Sequence, residues 1–260
     1  MYVGATVLLP DGYDENPDEF YPVNYQHGHF SLGVPFGFRD PDAPSASSRR
    51  SNQEFTDFWM SDDCPPLIAI KILHPCPYYD DSYAVNSPNV GPYDDAIAQE
   101  LIPLLEEKFR IISQPYARIL SGGSTGGWIA LAQQIFHPDF YGGVFSLCAD
   151  PVDFHYYQIV DIYKDKNAYY RENEWFRVER PNTRSTDGNI RTTMANENLY
   201  ELVVGDKNRS GGQWDIWEAA YSPIGPDGYP MRVWDKRTGE INHAVAEQWK
   251  NYDLHEYLKN

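Results

Sequence analysis

The stretch 116–137, YARILSGGSTGGWIALAQQIFH, constrains the fold more than any other part of the chain. Residues 117–120 are a short apolar run of strand type. Ser121-Gly122-Gly123-Ser124-Thr125-Gly126-Gly127 is then a turn of small residues, and a helical pattern follows. Trp128, Leu131, Ala132 and Ile135 recur at helical spacing, and Pro138 ends the pattern by disfavouring helix at His137. Gly122, Ser124 and Gly126 spell G-x-S-x-G, the signature of a nucleophile elbow, a sharp strand-to-helix turn that lifts a serine hydroxyl above a sheet. The glycines have a mechanical reason. Such a turn needs strained backbone angles, and strand and helix approach too closely for a Cβ at the flanking positions. An oxyanion beside Ser124 can be held by the Thr125 N–H, at the positive end of the helix. A glycine-rich βα turn or a phosphate cradle would share this composition, but no lysine follows the glycines, so the Walker pattern fails.

A chain of 260 residues reads as one domain with room for a sizeable core. Its core is expected over about 1–153, followed by an aromatic-rich insertion and helices over 154–260. The net charge of −17 argues against nucleic acid or an anionic membrane as partner, since both attract basic patches. No run of 18 apolar residues is present, so no transmembrane segment is expected. Strand-like residues 3–9 follow the first methionine almost at once, which is no signal peptide, and the compartment stays open. Cys64, Cys76 and Cys148 form no metal spacing, and neither metal nor cofactor is expected. Cys64 and Cys76 flank the apolar run 67–73, which as a strand would hold them about 20 Å apart, too far for a bridge.

In chain order, 2–9 and 22–26 read as strands, the second ending in His27-Gly28-His29-Phe30. Residues 39–52 are rich in Pro, Ser, Asp and Arg and read as a loop, and 54–60 as one or two helical turns. Residues 67–73 form an unalternating apolar strand, as a parallel strand buried on both faces requires. A loop dense in Pro, Tyr and Asp follows over 74–92. Ile97, Leu101, Leu104, Leu105 and Phe109 then mark an amphipathic helix that Pro103 should kink or restart. After the elbow, 143–148 is the next strand, ending at Asp150-Pro151-Val152-Asp153. Alternation of strand and helix predicts a mostly parallel α/β sheet with helices on both faces. Beyond it, 183–193 reads as a polar loop, 196–204 as a helix, 232–241 as a hairpin, and 242–258 as a final helix capped by Asn242.

The segments YPVNYQHGHF, GPYDDAIAQELIPLLEEKF and RILSGGSTGGWIALAQQIFHPDFYGG together resemble the putative-esterase branch of the α/β-hydrolases, the group that includes esterase D, enterochelin esterase and feruloyl esterases. The resemblance is close over about 5–153 and looser afterwards. It implies an α/β-hydrolase-type fold and Ser124 as nucleophile of a serine carboxylesterase. The backbone N–H groups of His29 and Thr125 would form the oxyanion hole. Family members act on esters of carbohydrates, phenolic acids, siderophores or small thiols, so a small-molecule or carbohydrate ester is the implied substrate.

The chain departs from the family order of Ser, acid, His. Four histidines follow Ser124: His137, His155, His243 and His255. None falls in a loop after a late strand, and of the later acids Asp150 alone follows one. The expected reading is a sheet lacking its C-terminal strands, a chain cut short without a working triad. His155, with Asp150 as acid, is the reserve pair. Two alternatives stand beside the esterase: a catalytically incomplete scaffold that binds a carbohydrate or a protein, and an acyltransferase.

Overall fold

The computed structural model describes residues 2–29, 33–39 and 50–259, which divide into two compact units. The first comprises Tyr2–Pro75 and Asp94–Asp150; the second comprises residues 76–93 and 151–259.

The first unit is organised by a five-stranded sheet. Its strands are β1 (Gly4–Leu8), β2 (Val23–His27), β3 (Ile68–Leu73), β4 (Arg118–Gly123) and β5 (Gly143–Leu147), in the order β1-β3-β2-β4-β5. The pairs β2–β3, β2–β4 and β4–β5 are parallel, and β1 runs antiparallel to β3. β3 therefore lies between two strands, with Ile68, Ala69, Ile70 and Ile72 all buried. That burial explains why its sequence does not alternate. Each such aliphatic side chain contributes about 1.5–3 kcal/mol on leaving water. The mostly parallel sheet with helices read from the sequence is thus present.

The helical pattern before β4 restarts at Pro103, as expected. Residues Ala96–Leu101 form a π-helical segment, and α2 (Ile102–Lys108) resumes behind it with proline in its first turn. The Ile102 N–H donates to the Ile97 carbonyl, so the ladder slips by one residue just before the proline, which has no N–H to contribute. α2 is tied to the start of β4 by Arg118, whose Nε and a terminal nitrogen grip the two Glu106 oxygens at 2.6 and 2.9 Å. The Arg118 guanidinium also lies 4.1 Å over the Phe140 ring.

One expectation fails here. Of the loop expected over 39–52, residues 40–49 lie outside the described residues, but α1 (Arg50–Trp59) begins inside that range and outruns the one or two turns predicted. Rings hold it: Phe55 sits 5.2 Å from Phe36 and 5.7 Å from Trp59, and the Trp59 indole donates to the Leu9 carbonyl at 3.0 Å.

The second unit has no extended sheet among its described residues. It comprises α4 (Met194–Val204), α5 (Gln213–Tyr221), α6 (His243–Trp249), α7 (Leu254–Tyr257) and short hairpins. Its core is aromatic. Tyr157 meets Trp217 at 4.9 Å and Trp249 at 5.3 Å edge-on, and Trp214 meets Trp217 at 4.8 Å. The polar loop expected over 183–193 is instead part of an antiparallel hairpin, Pro181–Arg184 with Ile190–Thr193, joined also through the Thr183 and Thr192 hydroxyls at 2.7 Å. The final helix starts on its expected cap, Asn242, but breaks after Trp249, and Asp253 caps α7 afresh. All three cysteines are free. No helix among the described residues is long and apolar enough to cross a membrane.

Candidate active site

Ser124 sits between the end of β4 and the first residue of α3 (Thr125–Phe136), exposed, with φ 55° and ψ −123°. That conformation is left-handed in φ and strained for a residue with a Cβ. The surroundings enforce it. The Ser124 N–H donates to Leu147 O at 3.0 Å, and its carbonyl accepts from the Gly127 and Trp128 amides at 2.9 and 3.1 Å. The serine backbone is thereby pinned to β5 on one side and to the helix on the other.

The glycines are required by contact. A Cβ on Gly122 would lie 2.1 Å from Gly126 O, and one on Gly126 would lie 2.3 Å from His27 O and 2.9 Å from the Gly28 Cα. Helix α3 thus starts directly against the end of β2. The expected oxyanion residues therefore stand on neighbouring pieces of backbone: Thr125 opens the helix, and His29 follows the Gly28 that touches Gly126. The first amides of a helix have no carbonyl partner within it and carry partial positive charge.

Asp150 comes to the same place. Its Oδ1 accepts from the Ser124 hydroxyl at 3.3 Å, and its Oδ2 from the buried Thr125 hydroxyl at 2.9 Å. The sequence singled out Asp150 because it follows β5. The bond to Thr125 was not anticipated, and adjacency of a hydroxyl residue to the elbow serine is the signal that could have suggested it. His27, the last residue of β2, is buried, its ring 5.8 Å from that of His74.

The remaining histidines have other engagements. His137 caps α3 and bonds Asp94 at 2.8 Å, which, against some burial, raises its pKa above the ordinary imidazole range. His155 belongs to the second unit, where its Nδ1 lies 2.7 Å from Asp153 Oδ1. His255 stands in the same cluster, with Nδ1 3.2 Å from Asp153 Oδ2, and His243 opens α6.

A family model described as "Putative esterase" matches residues 76–201. Together with the mostly parallel sheet and the elbow, this bears out the resemblance to the putative-esterase branch, and the fold is of the α/β-hydrolase type. No curated protein matches the chain. Among solved structures, a ferulic acid esterase is similar at 21% identity over 56% of this chain and 53% of its own, with a TM-score of 0.46. The fluorophosphonate-binding serine hydrolase F of Staphylococcus aureus is similar at 17% identity over 58% of this chain and 52% of its own, TM-score 0.42. The enterochelin esterase of Shigella flexneri is 16% identical over 54% of this chain and 30% of its own, TM-score 0.36. The chain thus spans about half, or less, of the length of these structures.

Proposed function

We propose that this chain is a serine hydrolase of carboxylic esters, with Ser124 as nucleophile. The observation that carries the reading is the strained, exposed serine at the head of a helix, held there by three glycine contacts. The Ser124 oxygen attacks the acyl carbon while its proton passes to Asp150, the carboxylate 3.3 Å away. The Thr125 and His29 amides hold the resulting oxyanion. Collapse expels the alcohol, which takes the proton back, and water then attacks the acyl-enzyme by the same route. A carboxylate is a weaker base than an imidazole near neutral pH, so turnover in this form is slow. Esters of phenolic acids and of carbohydrates are the first substrates to try, given the esterase match.

The direct carboxylate contact also favours a second reading, capture of an ester-bearing ligand without turnover. One assay separates the two: hydrolysis of an activated acetate ester and of a feruloyl ester by the wild type and by Ser124→Ala. Turnover that falls about 10³-fold or more in Ser124→Ala supports the hydrolase. Equal rates in both proteins overturn it, and saturable ester binding without turnover supports capture. Added alcohol that diverts product to a new ester would place the chain among acyltransferases.

A further inference from the structure

Two Asp-x-His turns, far apart in sequence, meet in the second unit: Asp153-Phe154-His155 and Asp253-Leu254-His255. Each aspartate caps its own short helix. Asp153 Oδ1 accepts from the His155 N–H at 3.0 Å, and Asp253 Oδ1 from the His255 and Glu256 amides at 3.1 and 3.3 Å. The turns also hold each other. Asp253 Oδ2 accepts from the Phe154 N–H at 3.0 Å and from the Tyr163 hydroxyl at 2.8 Å, and the His255 N–H donates to Val152 O at 3.1 Å. The Tyr163 ring stands edge-on to the His155 imidazole at 4.8 Å.

This framework delivers two imidazoles to one carboxylate. His155 Nδ1 lies 2.7 Å from Asp153 Oδ1 and His255 Nδ1 lies 3.2 Å from Asp153 Oδ2. One ligand atom from each of the three residues falls within 4.8 Å of the other two. Glu256 Oε1 stands 3.9 Å from His155 Nε2, too far for a hydrogen bond. Donors on one tetrahedral zinc ion, bound at about 2.0–2.2 Å, lie about 3.3–3.6 Å from each other. The 2.7 and 3.2 Å separations at Asp153 are slightly shorter than that spacing, and a small opening of the cluster reaches it.

We propose that Asp153, His155 and His255 form a binding site for one zinc-like divalent cation, with its fourth position open to water. Two imidazoles with a carboxylate suit zinc and its first-row neighbours, whereas magnesium and calcium prefer all-oxygen sites. The Asp253 and Tyr163 contacts orient the ligand-bearing turns, as outer partners do around metal sites. The ligands keep partial exposure, from 25% for His155 to 47% for His255, so an ion reaches them without unfolding. A bound ion would tie the turn at Asp153 to α7 and stabilise the folded chain by mass action. The proposal stands apart from the ester reading, because it uses none of the groups assigned to that chemistry.

The competing account is a hydrogen-bonded clamp, in which both imidazoles donate to Asp153 and no ion is needed. Calorimetric titration of the metal-stripped full chain with zinc alone distinguishes them. We expect one saturable site, none for magnesium, and affinity weakened about tenfold or more in His255→Ala and in His155→Gln. Circular dichroism checks that both variants fold, and the exposed position of His255 makes its replacement mild. Zinc should also raise the melting temperature of the wild type and not of His255→Ala. Absence of saturable zinc binding, or equal affinity in wild type and both folded variants, overturns the proposal.

Discussion

In the first unit the interior is aliphatic: β3 buries Ile68, Ala69, Ile70 and Ile72, and the demanding element is one strained turn at Ser124. In the second unit the interior carries charge. Lys236 is buried against Glu201, Asp215 and Glu218, and Arg232 reaches Asp215 and Glu218 at 3.3 and 3.2 Å. Burial pushes the Glu218 carboxyl up to about 7, although Lys236 and Arg232 pull against it. Burial works the same way on Asp215, but there Lys236 outweighs it and holds the carboxyl below its usual range. The two units place their liabilities differently. One stores backbone strain where a reaction is proposed to occur, and the other buries a cluster of paired charges where its helices meet. Steric changes should break the first, and changes of charge the second.

The largest effect should come from Lys236→Met. It leaves three buried carboxylates with only Arg232 nearby, and removing one partner of a buried ion pair costs about 3–5 kcal/mol. Urea unfolding followed by tryptophan fluorescence measures it, and adding Glu218→Gln should return part of the loss. A cost under about 1 kcal/mol would mean that the ions are solvated rather than interior.

The steric counterpart is Gly126→Ala, expected to cost about 1–3 kcal/mol because the new Cβ falls 2.3 Å from His27 O. Gly123→Ala is its control. There a Cβ meets nothing nearer than Leu147 O at 3.8 Å, and stability should stay within about 0.5 kcal/mol. If the two substitutions behave alike, the turn is less tightly packed than its geometry indicates.

Titration separates the units more finely. The Glu218 pKa is raised by burial from 4.5, so the folded chain holds a proton that the unfolded chain releases. Its contribution is complete below about 4.5 and is lost as pH rises towards about 7. His137 is raised by the hydrogen bond to Asp94, so its contribution is complete below 6.5 and is lost above that, as pH passes its folded value. Unfolding free energies across pH 5–9 should show that Glu218→Gln removes a decline in the lower window and His137→Gln one in the upper. Identical pH profiles for the two variants would break the assignment.

The smallest effect is Thr125→Val. It keeps the shape of a buried residue but removes the donor to Asp150, costing about 0.5–1.5 kcal/mol. With the Thr125 contact to Asp150 gone, the rate of ester turnover should change more than the melting temperature. The reverse pattern would make the bond purely structural.

The sheet unit was readable because its signals are local. An unalternating apolar run specified β3, small residues specified the elbow, and proline marked where α2 restarts. The second unit was harder because its determinants are not local. Lys236, Glu201, Asp215 and Glu218 look like surface charges until α4 and α5 bring them together, and no spacing announces that. The Pro181–Thr193 hairpin pairs through threonines in a polar stretch without alternation, so neither strand period nor apolar content reveals it. At the site, the elbow was visible as a pattern. The approach of Asp150 to Ser124 depends on how β5 ends, at Cys148 with φ 46°, a turn that no residue type there requires.

The contact between Gly126 and the carbonyl of His27 also bears on how accurately the fold can place two parts. Parts positioned through a chain of intermediates accumulate the slack of every joint between them. Here the end of β2 and the start of α3 touch directly, so the spacing between them inherits the error of one joint. Thermal breathing of the sheet can carry both pieces together without changing their separation. The tolerance where β2 meets α3 is therefore set by direct van der Waals contact, and a methyl group is the smallest shim that would defeat it.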